Sequence, residues 1–376
     1  MLYWIHEWSD LFSPLRMFRY ITFRTVMAAG TAFVLSLIFG PWLIERMRVL
    51  KFGEQREDTR VSGLDRKNKV GTPTMGGLLI VFSATAAAVL WVVPGNFQVL
   101  CALTTFCFLG TIGFIDDYLK IRRDRGLSPR VKLLAQAGWT AVLLLALWTN
   151  GEVWPQAQQL MVPFVKDPLI PAMGLIGTFI FLFPVLVGAS NAVNLTDGLD
   201  GLAIGCTNSA AAAYLAMAYV AGHFTFAEYL QVPFIRGGGE LAVFCGALLG
   251  AGLGFLWFNC HPAKVFMGDT GSLAIGGGIA AVAILINQEL VLIIVGGVFV
   301  IEAASVLLQQ SWFKYTKKKY GAGRRIFLCA PLHHHFEYKA KALGKSVDAY
   351  ENRITVRFWI LAIIFALVGV ATLKIR

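Results

Sequence analysis

Ten runs of about 20 apolar residues, parted by polar connections, constrain this chain more than any other feature. A backbone that crosses hydrocarbon must satisfy its own hydrogen bonds, so runs of that length are expected to be helices. They fall near 21–44, 73–94, 97–115, 131–149, 168–190, 198–221, 239–258, 271–287, 289–311 and 355–373. With 57% hydrophobic and only 15% charged residues, and a mean hydropathy of +0.64, the chain is far more apolar than a soluble core requires. The expectation is an all-α integral membrane protein of ten transmembrane helices, with residues 1–376 forming a single polytopic membrane domain. The runs at 198–221 and 271–287 are rich in Ala and Gly, a composition that suits close helix packing.

The formal charge of +11 would suggest nucleic acid in a soluble protein; here it reports orientation, and no nucleic-acid partner is expected. Cytoplasmic loops carry the excess of Lys and Arg. Connections 45–72, 116–132, 191–197, 259–270 and 312–354 hold 25 of them, the opposite connections only 2. Both termini are therefore expected on the periplasmic side, with 312–354 a long basic cytoplasmic loop and much of the positive charge resting on anionic membrane lipids. Residues 1–20 mix charges with Trp4, Trp8, Phe12 and Phe18 and read as an amphipathic interfacial segment rather than a cleavable signal. The six cysteines are scattered without a C-x-x-C pair, so neither a disulfide framework nor a zinc site is indicated.

Once the spans are placed, the unusual polar residues collect on the cytoplasmic side. In "GFIDDYLK" (113–120), Asp116 and Asp117 are read as ending the third span, where the helix dipole disfavours anions. They are either solvated and paired with Lys120 and Arg122, or a site for a cation or a proton. In "SNAVNLTDGLDGLA" (190–203), Asn191, Asn194, Asp197 and Asp200 recur every third residue and are expected on roughly one face; an ordinary Asp-Gly turn is the plain alternative. The spacing is not that of an EF-hand loop. In "FNCHPAKVFMGDTGSLAIGG" (258–277), Asp269 stands where the eighth span begins, as an N-cap or as a metal ligand beside free helix N–H groups. His333, His334 and His335 in "APLHHHFE" (330–337) form a solvated loop, donate to phosphate or shuttle protons. Consecutive residues rarely converge on one ion.

These blocks, with "GTPTMGG" (71–77) and "GLGFLWFN" (252–259), resemble the phospho-N-acetylmuramoyl-pentapeptide transferase family, within the polyprenyl-phosphate N-acetylhexosamine-1-phosphate transferases. The resemblance runs from about Tyr20 to the last apolar run; residues 338–353 are longer than its pattern. It implies a ten-helix enzyme, Mg²⁺-dependent and homodimeric, in the bacterial inner membrane. The enzyme would move phospho-MurNAc-pentapeptide from UDP-MurNAc-pentapeptide to undecaprenyl phosphate, giving lipid I and UMP. By the same resemblance Asp116, Asp117 and Asp269 are the catalytic aspartates, with Asp269 the magnesium ligand, joined by Asp116 or Asn194. Lys69, Thr74, Lys132, Asn194, Asp197, Asp200, Asn259, Phe266, Gln309, His333, His334 and His335 match the family's nucleotide, phosphate and inhibitor contacts.

The residues fit that chemistry on their own terms. A water-soluble anionic donor arrives from the cytoplasm and a lipid acceptor arrives sideways, so the site belongs at the cytoplasmic membrane edge. Asp117 is expected to accept a proton from the lipid phosphate or to orient it, and Asp197 and Asp200 to contact uracil, ribose or sugar. Direct attack and a covalent phospho-sugar intermediate on an aspartate both remain open. The competing readings are a relative transferring GlcNAc-1-phosphate to the same lipid and, from another class, a secondary transporter, whose ionisable groups would sit nearer the bilayer midplane.

Overall fold

The computed structural model describes residues 1–50, 71–123, 125–344 and 346–374, with backbone alone at 347–349. Two 3₁₀ segments, Leu2–Asp10 and Ser13–Arg19, lead into α1 (Ile21–Val49), α2 (Gly77–Trp91), α3 (Phe97–Arg123), α4 (Pro129–Thr149), α5 (Trp154–Ala157), α6 (Gly174–Thr196) and α7 (Leu202–Ala221). Then follow α8 (Phe224–Leu230), α9 (Glu240–Asn259), α10 (Gly268–Leu285), α11 (Val291–Val295), α12 (Gly297–Tyr320), α13 (Leu332–Ala342) and α14 (Val347–Ala371). An isolated β-bridge joins Leu160 with Ile170.

Each apolar run overlaps a helix, the 289–311 run two of them (α11 and α12), and among the described residues seven helices are long and apolar enough to cross a membrane, or eight if the bent pair α7 and α8 counts as one span. Three boundaries differ from expectation for local reasons. Residues 71–76 form a loop with Met75 at φ 69°, so α2 starts only at Gly77. Helix α3 does not end at its aspartates but runs on to Arg123, because Lys120, Arg122 and Arg123 in its last turn suit the negative end of the dipole. The expected loop 312–354 is largely helical: α12 continues to Tyr320, where Gly321 at φ 77° closes it, and α13 and the start of α14 occupy much of the rest.

Helices α9 and α10 form the buried centre, while α1, α4, α6 and α14 turn apolar side chains such as Ile38, Leu134, Ile176 and Leu367 outward. An apolar exterior of this extent suits lipid, not water. Helix α1 lies directly on α9 because Gly246, Gly250 and Gly254, one per turn, admit its backbone at Thr25, Ala29 and Phe33. At one end of that seam the buried Arg24 guanidinium makes two 2.6 Å bonds to Glu240, and also donates to the Trp91 carbonyl at 3.1 Å. The pair ties α1, the end of α2 and the start of α9 together.

Helices α3 and α10 touch as closely. A methyl group on Gly113 would run into the Asp269 carbonyl, and one on Gly77 into the Gly271 backbone. Gly113→Ala must therefore push α3 off α10, and its thermal midpoint in detergent is expected to drop by the equivalent of about 1–3 kcal/mol. An unchanged midpoint would show that the helices do not meet there.

The turn between α10 and α11 holds Glu289, 2% exposed. Neither of its carboxylate oxygens has a hydrogen-bond partner in another described residue.

Candidate active site

Gly113 sets the geometry of the site, since the two residues one turn further along α3 meet the first turn of α10. Helix α10 has no side-chain cap of its own, and its free N–H groups need an acceptor. Asp117 supplies it from across the interface. Its carboxylate accepts the Asp269 N–H at 3.1 Å, the Thr270 N–H at 2.9 Å and the Thr270 hydroxyl at 2.8 Å. The aspartate that looked misplaced on its own helix thus sits at the positive end of another.

Asp116 and Asp269 face each other beside this cap. Carboxylate oxygens of Asp116, Asp117 and Asp269 lie within 4.8 Å of one another. Two ammonium groups enter among them. Lys120 Nζ stands 2.7 Å from Asp116, 3.1 Å from Asp269 and 3.7 Å from Asp117. Lys132, from the first turn of α4, donates to Asp269 and lies 3.6 Å from Asp116. The second Asp116 oxygen accepts the Leu127 N–H at 2.6 Å, which fastens the α3–α4 connection to the centre. Asn194, near the end of α6, donates to Asp269 at 2.7 Å and to Ser272 at 2.8 Å. Its amide nitrogen is what faces Asp269; to ligate a metal it would turn its oxygen there.

Other expected residues line this centre. Thr74 lies beside Asp117 and Gly268. Asp197 follows the end of α6 and accepts the Gly268 N–H; its low-dielectric surroundings, and then the Asp269 and Asp117 carboxylates, push its carboxyl up to about 8. The Phe266 backbone pairs with the 73–76 loop, donating to the Pro73 carbonyl and accepting from the Gly76 N–H, both at 2.8 Å.

The remaining residues are drawn elsewhere. The expected single face of 191–200 divides: Asn191 bonds Gln136 at 3.0 Å, and Asp200, beyond the helix, turns to His261 and to the Ala263 N–H, each at 3.1 Å. The chain leaves helical geometry at Asp197, so a three-residue spacing no longer keeps one face. Asn259 braces two loops, accepting the Gly201 N–H and donating to the Val265 carbonyl. Gln309 accepts the Ile326 and Phe327 N–H groups and donates to the Phe327 carbonyl. The histidines ride on α13, not on a solvated loop, and diverge. His333 is fully buried against Gly198 and Glu302, His334 bonds Glu337 at 2.6 Å, and His335 accepts the Leu328 N–H. Lys69 lies outside the described residues.

Three carboxylates gathered around positive groups form a hard oxygen donor set of the kind that takes Mg²⁺, with Asp269 and Asp116 sharing the lysine-facing side. From sequence Lys120 reads only as a surface partner of the aspartates, although its i, i+4 offset from Asp116 places it on their face. Glu302 and Glu351 give no local signal, since their partners lie in other blocks.

The description of Glycosyl transferase family 4 matches residues 99–287, which holds all three aspartates, Lys120, Lys132 and Asn194. The chain is 45% identical to the phospho-N-acetylmuramoyl-pentapeptide-transferase of Methylacidiphilum infernorum and 47% identical to that of Opitutus terrae, in each case over 100% of both chains. It is 49% identical to the protein of the same name from Solidesulfovibrio magneticus, over 97% of both. A bundle with seven or eight helices fit to cross a membrane accords with these relatives as a multi-pass bacterial membrane protein. Likeness at this level over whole chains places the protein in the phospho-N-acetylmuramoyl-pentapeptide transferase family.

Proposed function

We propose that the aspartate–lysine centre transfers phospho-MurNAc-pentapeptide from its UDP carrier to undecaprenyl phosphate, giving lipid I and UMP. The observation that carries the reading is the convergence of Asp116, Asp117, Asp269, Lys120 and Lys132 within one family-matched segment. In the reaction an oxygen of the lipid phosphate attacks the sugar-bearing β-phosphorus. A new P–O bond forms as the bond to the UMP oxygen breaks, and UMP leaves with the electron pair. A phosphate monoester with a second pKa of about 6 is largely ionised at neutral pH, so alignment matters more than a base.

Each residue has a task in that displacement. Asp269 and Asp116 would hold Mg²⁺, which supplies neutralising charge to the diphosphate. Lys120 and Lys132 stand where they can pair with phosphate oxygens and with the departing UMP. Asn194 and Asp117 keep Asp269 in place; with its oxygens engaged by the start of α10, Asp117 serves as an orienting group rather than a proton acceptor. Thr74, Phe266 and Asp197 border the centre on the side where nucleotide and sugar would lie. We place the site on the cytoplasmic edge of the inner membrane in a ten-span topology with both termini periplasmic, the orientation that the Lys and Arg distribution supports. The homodimer belongs to the same proposal.

Lipid I formation from UDP-MurNAc-pentapeptide and undecaprenyl phosphate in detergent is expected to require Mg²⁺, and Asp269→Asn to lose at least about 100-fold in rate. Full activity of that variant, or of the wild type in chelator, would remove the centre from the mechanism. Transfer from UDP-GlcNAc alone would instead select the related GlcNAc-1-phosphate chemistry. Direct displacement further predicts no stoichiometric UMP release when donor is supplied without lipid; a burst of UMP would establish a covalent intermediate.

A further inference from the structure

The last helix carries a stripe that none of the family blocks contains. Glu351, Thr355 and Trp359 follow one another at intervals of four residues, so they share one face of α14. All three bond to one turn, far away in sequence. Glu351 accepts the Asp200 N–H at 3.1 Å, the Thr355 hydroxyl donates to the Asp200 carbonyl at 3.2 Å, and the Trp359 indole N–H donates to the Gly201 carbonyl at 3.0 Å. Glu351 and Thr355 are buried, 1% and 3% exposed. The Trp359 ring lies against Gly201 and Gly205; a side chain at Gly205 would collide with it, and Gly201 takes φ 72°.

That turn in turn sets the chain leading into the centre. The Asp200 carboxylate holds His261 and the Ala263 N–H, and Asn259 joins Gly201 to the Val265 carbonyl. Phe266 and Asp269 follow directly. A backbone turn fixed at both its N–H and its carbonyl groups has little freedom, and even a displacement of about 1 Å at a phosphoryl-transfer centre slows the reaction severely.

We propose that Glu351, Thr355 and Trp359 are positioning residues for the donor side of the transfer, holding the 200–201 turn so that Asp200 and Asn259 set the 261–269 segment. The inference rests on the transferase reading above. It is specific to the donor because the segment they control is the polar loop containing His261 and the exposed Lys264, where a water-soluble nucleotide sugar arrives, whereas the lipid tail needs an apolar helix face.

The test is steady-state kinetics on the full-length detergent-solubilised enzyme, varying each substrate in turn, for Glu351→Ala, Glu351→Gln, Thr355→Val and Thr355→Ser. Glu351→Ala is expected to raise KM for UDP-MurNAc-pentapeptide about tenfold or more and to leave KM for undecaprenyl phosphate within about twofold. Glu351→Gln, which keeps an oxygen for the Asp200 N–H, is expected to recover most of the loss. Thr355→Ser should likewise stay near wild type while Thr355→Val follows Glu351→Ala. Equal changes in both KM values, a change in kcat alone, or Glu351→Gln as impaired as Glu351→Ala would overturn the proposal. If Glu351→Ala does not fold, the Thr355 pair decides by the same criteria. An inactive wild type would instead defeat the transferase reading itself.

Discussion

The Asp117 carboxylate, accepting three hydrogen bonds at the start of α10, is the interaction on which the site depends. Helix α10 begins inside the protein, where uncapped N–H groups are costly. By meeting that need from α3, Asp117 fixes the helix start and, with it, the direction of Asp269. The cap works only because Gly113 lets the two backbones approach, and Gly110 and Gly277 extend the close seam along α3 and α10. A structural requirement of the bundle and a chemical requirement of the centre are met by one side chain.

Buried charge is handled differently away from the site. Arg24 and Glu240 neutralise each other in two bonds while Glu240 also accepts the Val93 N–H at 3.0 Å, so a costly pair becomes a register mark for three helices. At the centre, by contrast, no ammonium group belongs to one carboxylate: Lys120 is shared by three and Lys132 by two. Ammonium groups shared in this way can exchange partners when phosphate arrives.

Most of the bundle was legible because apolar runs and helices coincide in a membrane chain. What escaped was decided by tertiary contacts. The basic run Lys120, Arg122 and Arg123, which suits a helix end, was read instead as loop charge, and nothing local turned 312–354 from loop into α12, α13 and α14. The motif blocks exposed the aspartates, and topology placed them together, but the division of 191–200 between two destinations needed the break after Thr196. The partners of the Asp200 backbone lie about 150 positions onward, on a helix whose apolar pattern says only that it spans; the bonds themselves cover separations of 151 and 155 residues.

The arrangement has a further consequence for how the site tolerates its own charge. Asp116, Asp117 and Asp269 outnumber Lys120 and Lys132, yet the expected donor carries a diphosphate of the same sign as the excess. Repulsion on that scale would exclude the substrate unless positive charge entered with it, so a divalent cation and the donor are expected to bind with mutual gain rather than independently. The lysines alone cannot serve both sets of oxygens, because each already spans two carboxylates or more. Positioning by Asn194, Asp117 and the braced 200–201 turn then matters most at the moment of exchange, when carboxylates released by the lysines must keep their places without them.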